Sequence, residues 1–488
     1  MQHSRFVCVV LFLLMSFSLV AQTPDTAVLD GKVVDSTHAV VVGARVVITN
    51  ELTGLVRETT SSSDGSFSIA GLPIAGAYSV NATGKGFAAA TASHVSLAAG
   101  TRALVQLTLH AAGESSTVTV EGSATDVNIT EPEAGFRLDA QAIDETPLLN
   151  RRITFLALLN AANRPAINQG DIFMNQNLFT TNGGGRRQQA FVVDGANGND
   201  SWGRQTIFTN VPEEAVQEMA ILTQSFSAAY GASTGSVLNI VTKSGGDVLH
   251  GDILQLYRPA DIQARLAGFS AATATSGNQI SGDQLEQTAG SLSGRLLKND
   301  PTHFFFAGEF SRERRTSSVN ATALTPGAFV GHYRDAVTDT RLDRQFTSSN
   351  NAFLRIGTDD FYDTNPNGIV GGSTLPTVAR TFYRKTYSIE AGDTAILSSH
   401  VVNNARVQFQ LASPITQFVP VVLGTQFSVP ISGAPTFTTG TSQSALLMNR
   451  QYGLNEALSV VLGKHQMVFG GDWLLAHTGG DSKEFGGP

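Results

Sequence analysis

The sequence predicts a mainly β protein: a β-sandwich first, a mixed α+β segment next, then part of an antiparallel transmembrane β-barrel. Glycine (48) and phenylalanine (28) are abundant among 488 residues, a mixture that suits many strands and turns. Short apolar runs separated by turn signals recur along most of the chain. No run reaches the roughly 18 apolar residues of a membrane-spanning helix. Charged residues make up only 15%, below the roughly 25% usual for soluble domains. The length accommodates two to four domains.

The first 21 residues read as a secretory signal peptide. Arg5 precedes an apolar stretch, FVCVVLFLLMSFSLV (6–20), then Ala21 and polar QTPDT. A basic start, an apolar centre and a small residue at the exit define such a leader. A short anchor helix is the other reading, although the stretch is short for a span. Leu19 is larger than the residue preferred at the third position before the cut. The single cysteine, Cys8, lies inside this segment, so the mature chain would carry no disulfide. With 32 basic against 40 acidic residues and no basic run, nothing speaks for nucleic acid.

Seven strands are expected over 28–110: VLDGKVVD, GARVVITN, LVRETTS, GSFSIAGL, AYSVNATG, FAAATASHVSL and ALVQLTL. Turn signals at short, regular intervals between them suggest a β-sandwich. Asp64-Gly65 is a hairpin signal, because glycine accepts the positive φ of tight turns. GKVVD, GARVVITN, DGSFSIAGLP and GAYSV, in this order and spacing, resemble the carboxypeptidase regulatory-like domain. The resemblance implies a seven-stranded, transthyretin-like sandwich without catalytic residues. The sequence departs from it at Thr37-His38-Ala39-Val40, where the family has a glycine turn.

A linker with a short strand, STVTVEGSA, is expected over 111–129, and a mixed segment over 130–246. TPLLNRRITFLALLNAA predicts a short helix with Ile153, Leu156 and Leu159 on one face. FVVDG reads as strand then turn. Pro212 followed by Glu213 and Glu214 reads as a helix start, since Pro suits the first turn and acids favour its positive end. AILTQ is expected to be a strand.

Over 247–488 the expected strands are HGDILQLYR, QTAGSLSGRLL, THFFFAGEFSRE, NNAFLRIGTD, RKTYSIEAGDTAIL, HVVNNARVQFQLA, LNEALSVVLG and HQMVFGGDWLLAH. Asn299-Asp300-Pro301 and Gly463-Lys464 give short connections. Polar loops are expected at 258–284 and 314–349. Short turns on one side and long loops on the other are the signature of an outer-membrane barrel. A second soluble β-domain is the other reading of this region.

Three stretches invite chemistry. Gly231-Ala-Ser-Thr-Gly235 fits the G-x-S-x-G pattern that would make Ser233 a nucleophile, on a turn entered from a strand and left by a helix. The following SVLNIVTKSGG is poor in helix formers, and its apolar residues fall on both faces of a strand, Leu238 and Ile240 one way, Val237 and Val241 the other. Packing is therefore the preferred reading of Ser233. Asp194, Asn199 and Asp200 belong to an Asx-rich turn that lacks the alternating acids and closing Glu of a calcium loop. Arg186 and Arg187 follow a Gly-Gly-Gly turn that either binds an anion or is solvated. The histidines show no zinc-ligand pair and no phosphate loop is present. No cofactor or metal is expected.

TPLLNRR, GGGRRQQAFVVDGANGND, the long run from NVPEEAVQEM through SAAYGASTGSVLNIVTKSGG, and HGDILQLYR resemble the plug domain of TonB-dependent outer-membrane receptors. More narrowly they look like the Oar-like subgroup, in which a carboxypeptidase regulatory-like domain precedes plug and barrel. QTAGSLSGRLLKNDPTHFFFAGEF resembles the first barrel hairpin. The resemblance implies a non-enzyme in a Gram-negative outer membrane with the sandwich in the periplasm. It also implies a plug that must rearrange before a ligand passes, Arg186, Arg187, Asp194, Asn199 and Asp200 being its loop candidates. A TonB box is implied near the plug's start, to pair with an inner-membrane TonB-type energy-transducing protein. Thr117, Val118, Thr119 and Val120 stand there, and alternating Thr/Val suits strand addition; a last sandwich strand or linker is the other reading. The implied partners are outer-membrane lipid and an extracellular ligand, a siderophore or an oligosaccharide. The 22 strands the family implies need on the order of 400 residues, so a truncated chain is expected. A secreted adhesion or carbohydrate-binding protein is the alternative from another class.

Overall fold

The computed structural model describes residues 25–112, 119–121, 134–148, 151–166, 179–201, 210–231, 233–262, 283–298, 300–319, 327–365, 370–398, 401–418, 427–431, 434–439, 444–462 and 465–483. The expected signal peptide lies outside them. The first seven strands are β1 (Thr26–Asp35), β2 (Arg45–Asn50), β3 (Val56–Thr60), β4 (Ser66–Pro73), β5 (Tyr78–Thr83), β6 (Ala90–Val95) and β7 (Arg102–Leu109). They pack as two sheets, one in the order β4-β1-β7 and one built on β3-β2-β5-β6. Period-2 alternation puts Val46, Ile48, Val80, Ala82, Val105 and Leu107 into a shared apolar core.

Two turns differ from expectation. Asp64-Gly65 does not close a hairpin, because β3 and β4 belong to different sheets. The turn is tight, with Gly65 N–H donating to Ser62 O at 3.0 Å, but it carries the chain from one sheet to the other. At the first turn His38 takes the left-handed conformation (φ 64°) that the family gives to glycine. The Asp35 carboxylate makes this tolerable by accepting from the backbone N–H of Thr37 and Ala39 at 2.8 and 2.9 Å.

β8 (Thr119–Glu121) adds to β6 in parallel. Next come β9 (Ala134–Asp139), helix α1 (Ala140–Glu145), β10 (Asn163–Pro165), β11 (Phe179–Thr181), β12 (Gln189–Val193), β13 (Ala196–Asn197), β14 (Val216–Gln224) and β15 (Ser236–Thr242). Five of these form a mixed sheet, β13-β12-β15-β14-β9, with β12 and β15 parallel. Every residue of β15 is buried, as its two-sided apolar pattern predicts. Leu238 and Ile240 enter one core cluster, Val237 a second, and Val241 that of the sandwich.

The helices expected here are shorter. Ile153–Leu159 is a 3-10 helix that buries Ile153 and Leu156 but leaves Leu159 exposed. Glu213–Ala215 is a single 3-10 turn. Strand pairing on both sides, to β15 and β9, overrides the helical start and draws Val216 onward into β14.

The final region is a nine-stranded antiparallel sheet. Its strands are β16 (His250–Arg258), β17 (Gln284–Arg295), β18 (Thr302–Val319), β19 (Gly327–Thr347), β20 (Asn350–Asp363), β21 (Arg380–Ser398), β22 (Val401–Phe418), β25 (Ser444–Leu462) and β26 (His465–Lys483). A small hairpin, β23 (Phe427–Ile431) and β24 (Ala434–Thr439), stands apart between β22 and β25. Two-residue connections join β19 to β20, β21 to β22 and β25 to β26, and longer ones alternate with them. Phe306, Phe310, Leu354, Ile356, Ile389, Val407 and Leu454 lie exposed on the outer face, the apolar band that lipid requires.

Much of the polar loop expected at 314–349 is the end of β18 and all of β19. Tyr333, Asp335, Val337 and Asp339 alternate inward and are buried, so on this strand charge points in. The usual apolar-in, polar-out template is inverted, and the strand reads as a loop. The 258–284 loop contains a 3-10 turn at Ala260–Ile262, and its remainder lies largely outside the described residues.

A Cβ on Gly65 would stand 2.8 Å from Val33 O at a backbone φ of +76°. Gly65→Ala is expected to destabilise the sandwich by about 1–3 kcal/mol, read as a lowered urea midpoint.

Candidate functional site: the interface between the middle sheet and the inner wall

β12 ends in Asp194, which like the following Gly195 has a positive φ (48° and 88°). This corner aims a fully buried carboxylate at the inner wall of the nine-stranded sheet. Asp194 Oδ1 accepts from Thr242 N at 2.8 Å, and Oδ2 from the Thr242 hydroxyl at 2.8 Å. Arg341 of β19 donates to Oδ1 at 3.1 Å, and Arg355 of β20 stands 3.5 Å from Oδ2. Arg406 of β22 donates to the Asp194 carbonyl at 2.8 Å and also pairs with Asp25 at the foot of β1. Three wall strands thus converge on one residue of the middle sheet.

The Asx-rich turn after Asp194 is held by amides of the wall. Gln410 donates to Asn197 O at 2.9 Å, Gln451 to Asn199 O at 3.0 Å, and the Ser201 hydroxyl to Asn449 at 2.7 Å. Asn199 also staples its own loop, accepting from Phe191 N at 2.9 Å. Asp200 is buried beside it. A cavity of about 350 Å³ adjoins this turn, lined in part by Asn197, Asp200, Gln408 and Asp472.

Farther along the wall, Arg151, itself at φ 52°, meets Glu213 (3.4 Å), Glu214 and Glu309 of β18 (3.2 Å). Burial pushes the Glu213 carboxyl up to about 7; Arg151 opposes the shift, and Glu214 and Glu309 add to it. Asn210 donates to Asp359 at 2.7 Å, and Asp359 pairs with Arg384. An apolar contact is made by β18, where Phe305 and Ala307 join the core cluster of the middle sheet.

The sandwich closes this assembly from the short-turn end. Arg57 donates to Asn351 Oδ1 at 2.9 Å and to Ser348 O in the β19–β20 turn. Ala99 N–H donates to Glu218 of β14 at 3.0 Å.

Among the residues singled out from sequence, Asp194, Asn199 and Asp200 meet at this interface. Arg187 is exposed, and the side chain of Arg186 lies outside the described residues, as do Thr117 and Val118. Thr119 and Val120 form the strand paired to β6. Ser233 is preceded by a 3-10 turn (Ala228–Tyr230) and followed by strand β15, the reverse of a nucleophile elbow. Its hydroxyl lies 2.9 Å from Gln188 O and 2.7 Å from Ser236 O, which pins the corner. Arg151, Arg341, Arg355 and Arg406 were not anticipated; charges at alternate positions within strand runs were the available signal.

Residues 28–110 match the family described as the carboxypeptidase regulatory-like domain, and residues 331–486 match the outer membrane beta barrel domain. Over 147 residues the sequence is 32% identical to the TonB-dependent transporter Oar of Myxococcus xanthus, covering 29% of this chain and 13% of that protein. Over that stretch the chain is homologous to Oar. The fold of the chain is similar to the outer membrane transporter YddB from Escherichia coli, with a TM-score of 0.53 at 14% identity, covering 70% of this chain and 48% of that one. The siderophore receptor PirA from Acinetobacter baumannii gives 0.47 at 14% identity, covering 70% and 48%. The chain spans about half the length of the solved structures it matches and 13% of Oar. The matched proteins are transporters and receptors, and the barrel-domain and Oar matches point to the outer membrane of a Gram-negative bacterium.

Asp194→Asn removes an anion shared by Arg341 and Arg355, which keep Asp343 and Asp339 as partners. It is expected to loosen the middle sheet by about 1–3 kcal/mol, seen as faster limited proteolysis within 130–246. The raised Glu213 group binds its proton more tightly folded than unfolded. Stability is therefore expected to fall as pH rises from the ordinary carboxylate range to about 7, and to flatten above it. Thermal unfolding across that window should show a shallower slope in Glu213→Gln.

Proposed function

We propose that the protein is a TonB-dependent outer-membrane receptor that binds an extracellular ligand and imports it with energy from an inner-membrane TonB complex. In this reading 1–21 is a cleaved leader, 28–110 a periplasmic sandwich, 130–246 the plug and 247–488 barrel wall. The ligand is a bulky nutrient, a siderophore or an oligosaccharide, and no catalysis is involved.

The convergence of Arg341, Arg355 and Arg406 on Asp194 carries the reading. A permanent core element would be seated by apolar contact. Buried ion pairs add little net stability over apolar packing, and entering water can take over their partners. An interface of this kind is stable at rest and releasable under load. The apolar contact with Phe305 and Ala307 supports release from the Asp194 side first, with β18 as the retained edge.

Thr117, Val118, Thr119 and Val120 are the proposed coupling segment. Pairing of Thr119–Glu121 with β6 supports a main-chain strand-addition mode. Engagement by a transducing protein would exchange β6 for a new strand partner.

Residues 9–488 contain no cysteine, so Ser201→Cys gives this stretch a single reactive thiol, at the plug–wall interface. Maleimide labelling of that thiol in energised cells is expected to exceed labelling in cells lacking the transducer. Adding Val118→Pro should abolish the difference and stop uptake while leaving ligand binding intact. Equal labelling with and without energy would overturn the reading.

A further inference from the structure

The outer face of the nine-stranded sheet carries a cluster of positive charge that neither the plug nor the wall network uses. Arg312 and Arg314 of β18 alternate outward beyond Phe310, the last apolar residue of that face. Register places Arg312 directly opposite Arg334 of β19, and Arg314 opposite His332. Like charges facing each other across a ladder are destabilising. On a wall that faces lipid they are also costly to desolvate. Glu286 of β17, opposite Arg312, is the one carboxylate in the same outward row on these three strands. Glu313 lies on the inner face and is committed to Arg258 and Arg315. Among the described residues the buried Nε of Arg314 has no hydrogen-bond partner. Together these side chains line a cavity of about 590 Å³.

The level of the cluster is fixed by its neighbours. The row containing Arg312 and Arg334 runs through Glu286 to Tyr257 on one side, and through Tyr362 to Tyr383 on the other. Tyrosines in a ring beside an apolar band mark the headgroup region of a bilayer. Arg334 lies over the Tyr362 ring at 5.4 Å, which holds its guanidinium at that level. The cluster is at the long-connection end of the strands, opposite the sandwich.

We propose that Arg312, Arg314 and Arg334 form a binding site for the phosphate group of an outer-leaflet lipid. This rests on the membrane reading above. Planar guanidinium forks match phosphate oxygens bidentately, and a dianionic phosphomonoester would offset the Arg312–Arg334 opposition, for which Glu286 supplies a single negative charge against three arginines. The apolar residues below the cluster, Phe306 and Phe310 among them, would take the acyl chains of the same lipid.

The test uses the full-length protein in zwitterionic detergent, titrated with lipid A and with its dephosphorylated form and read by native mass spectrometry. The wild type is expected to retain lipid A and to lose the dephosphorylated form. R312Q, R314Q and R334Q should each weaken retention roughly tenfold. A triple lysine variant should recover part of it, since charge returns without the fork. R344Q, at the short-turn end where Arg344 pairs with Asp300 at 3.0 Å, should match the wild type. Equal retention of both lipids, or equal loss in R344Q, would overturn the site. Inorganic phosphate binding as tightly as lipid A would overturn the lipid assignment and leave an anion site. Failure of the wild type to insert into vesicles counts against the membrane reading; insertion with unchanged retention in the glutamine variants counts against this site alone.

Discussion

The architecture turns on a single buried carboxylate. Asp194 closes a strand of the middle sheet, caps the end of its parallel neighbour through Thr242, and receives arginines from two wall strands. A third arginine, Arg406, ties its carbonyl to Asp25 at the entrance of the sandwich. Sandwich, middle sheet and wall are therefore registered through one residue. The positive φ of Asp194 follows from this duty, because a continued strand would carry the side chain away from the wall. Aspartate tolerates that conformation better than most side chains and supplies the charge as well.

Around this point the molecule divides its forces by location. Inside the sandwich and the middle sheet cohesion is apolar, with Leu238, Ile240 and Met219 packed out of contact with water. Between the middle sheet and the wall, among the described residues, it is largely ionic and amide-based, with an apolar contact along β18. On the outside of the wall it is apolar again, now toward lipid. The sequence patterns follow this layering, since a strand with a polar inner and an apolar outer environment must alternate in the opposite sense to a soluble one.

That layering explains what was readable beforehand. The seven sandwich strands and β15 were legible because their surroundings are apolar and their period is simple. Eight of the wall strands were legible in part, through aromatic and β-branched runs. β19 was not, because Asp335, Asp339 and Arg341 gain their meaning from partners far away in sequence. Glu213 and Glu214 looked like dipole-stabilising acids at a helix start, yet their work is to meet Arg151. Asp64-Gly65 announced a turn correctly but could not announce that the next strand changes sheets. The Asx cluster after β12 was recognised as a turn, while its role depended on Gln410, Asn449 and Gln451, which no local pattern connects to it.

Val241 has a consequence for how the chain is made. It is a strand residue of the middle sheet, yet it sits in the core cluster of the sandwich together with Leu29, Val46 and Leu107. A chain synthesised amino-terminus first presents the sandwich strands long before this side chain arrives. Until then the first domain waits with a gap in its interior and an apolar surface where the middle sheet belongs. The last side chain of that interior comes from a strand about 130 residues farther along the chain, so the packing of the sandwich is completed by the sheet that follows it.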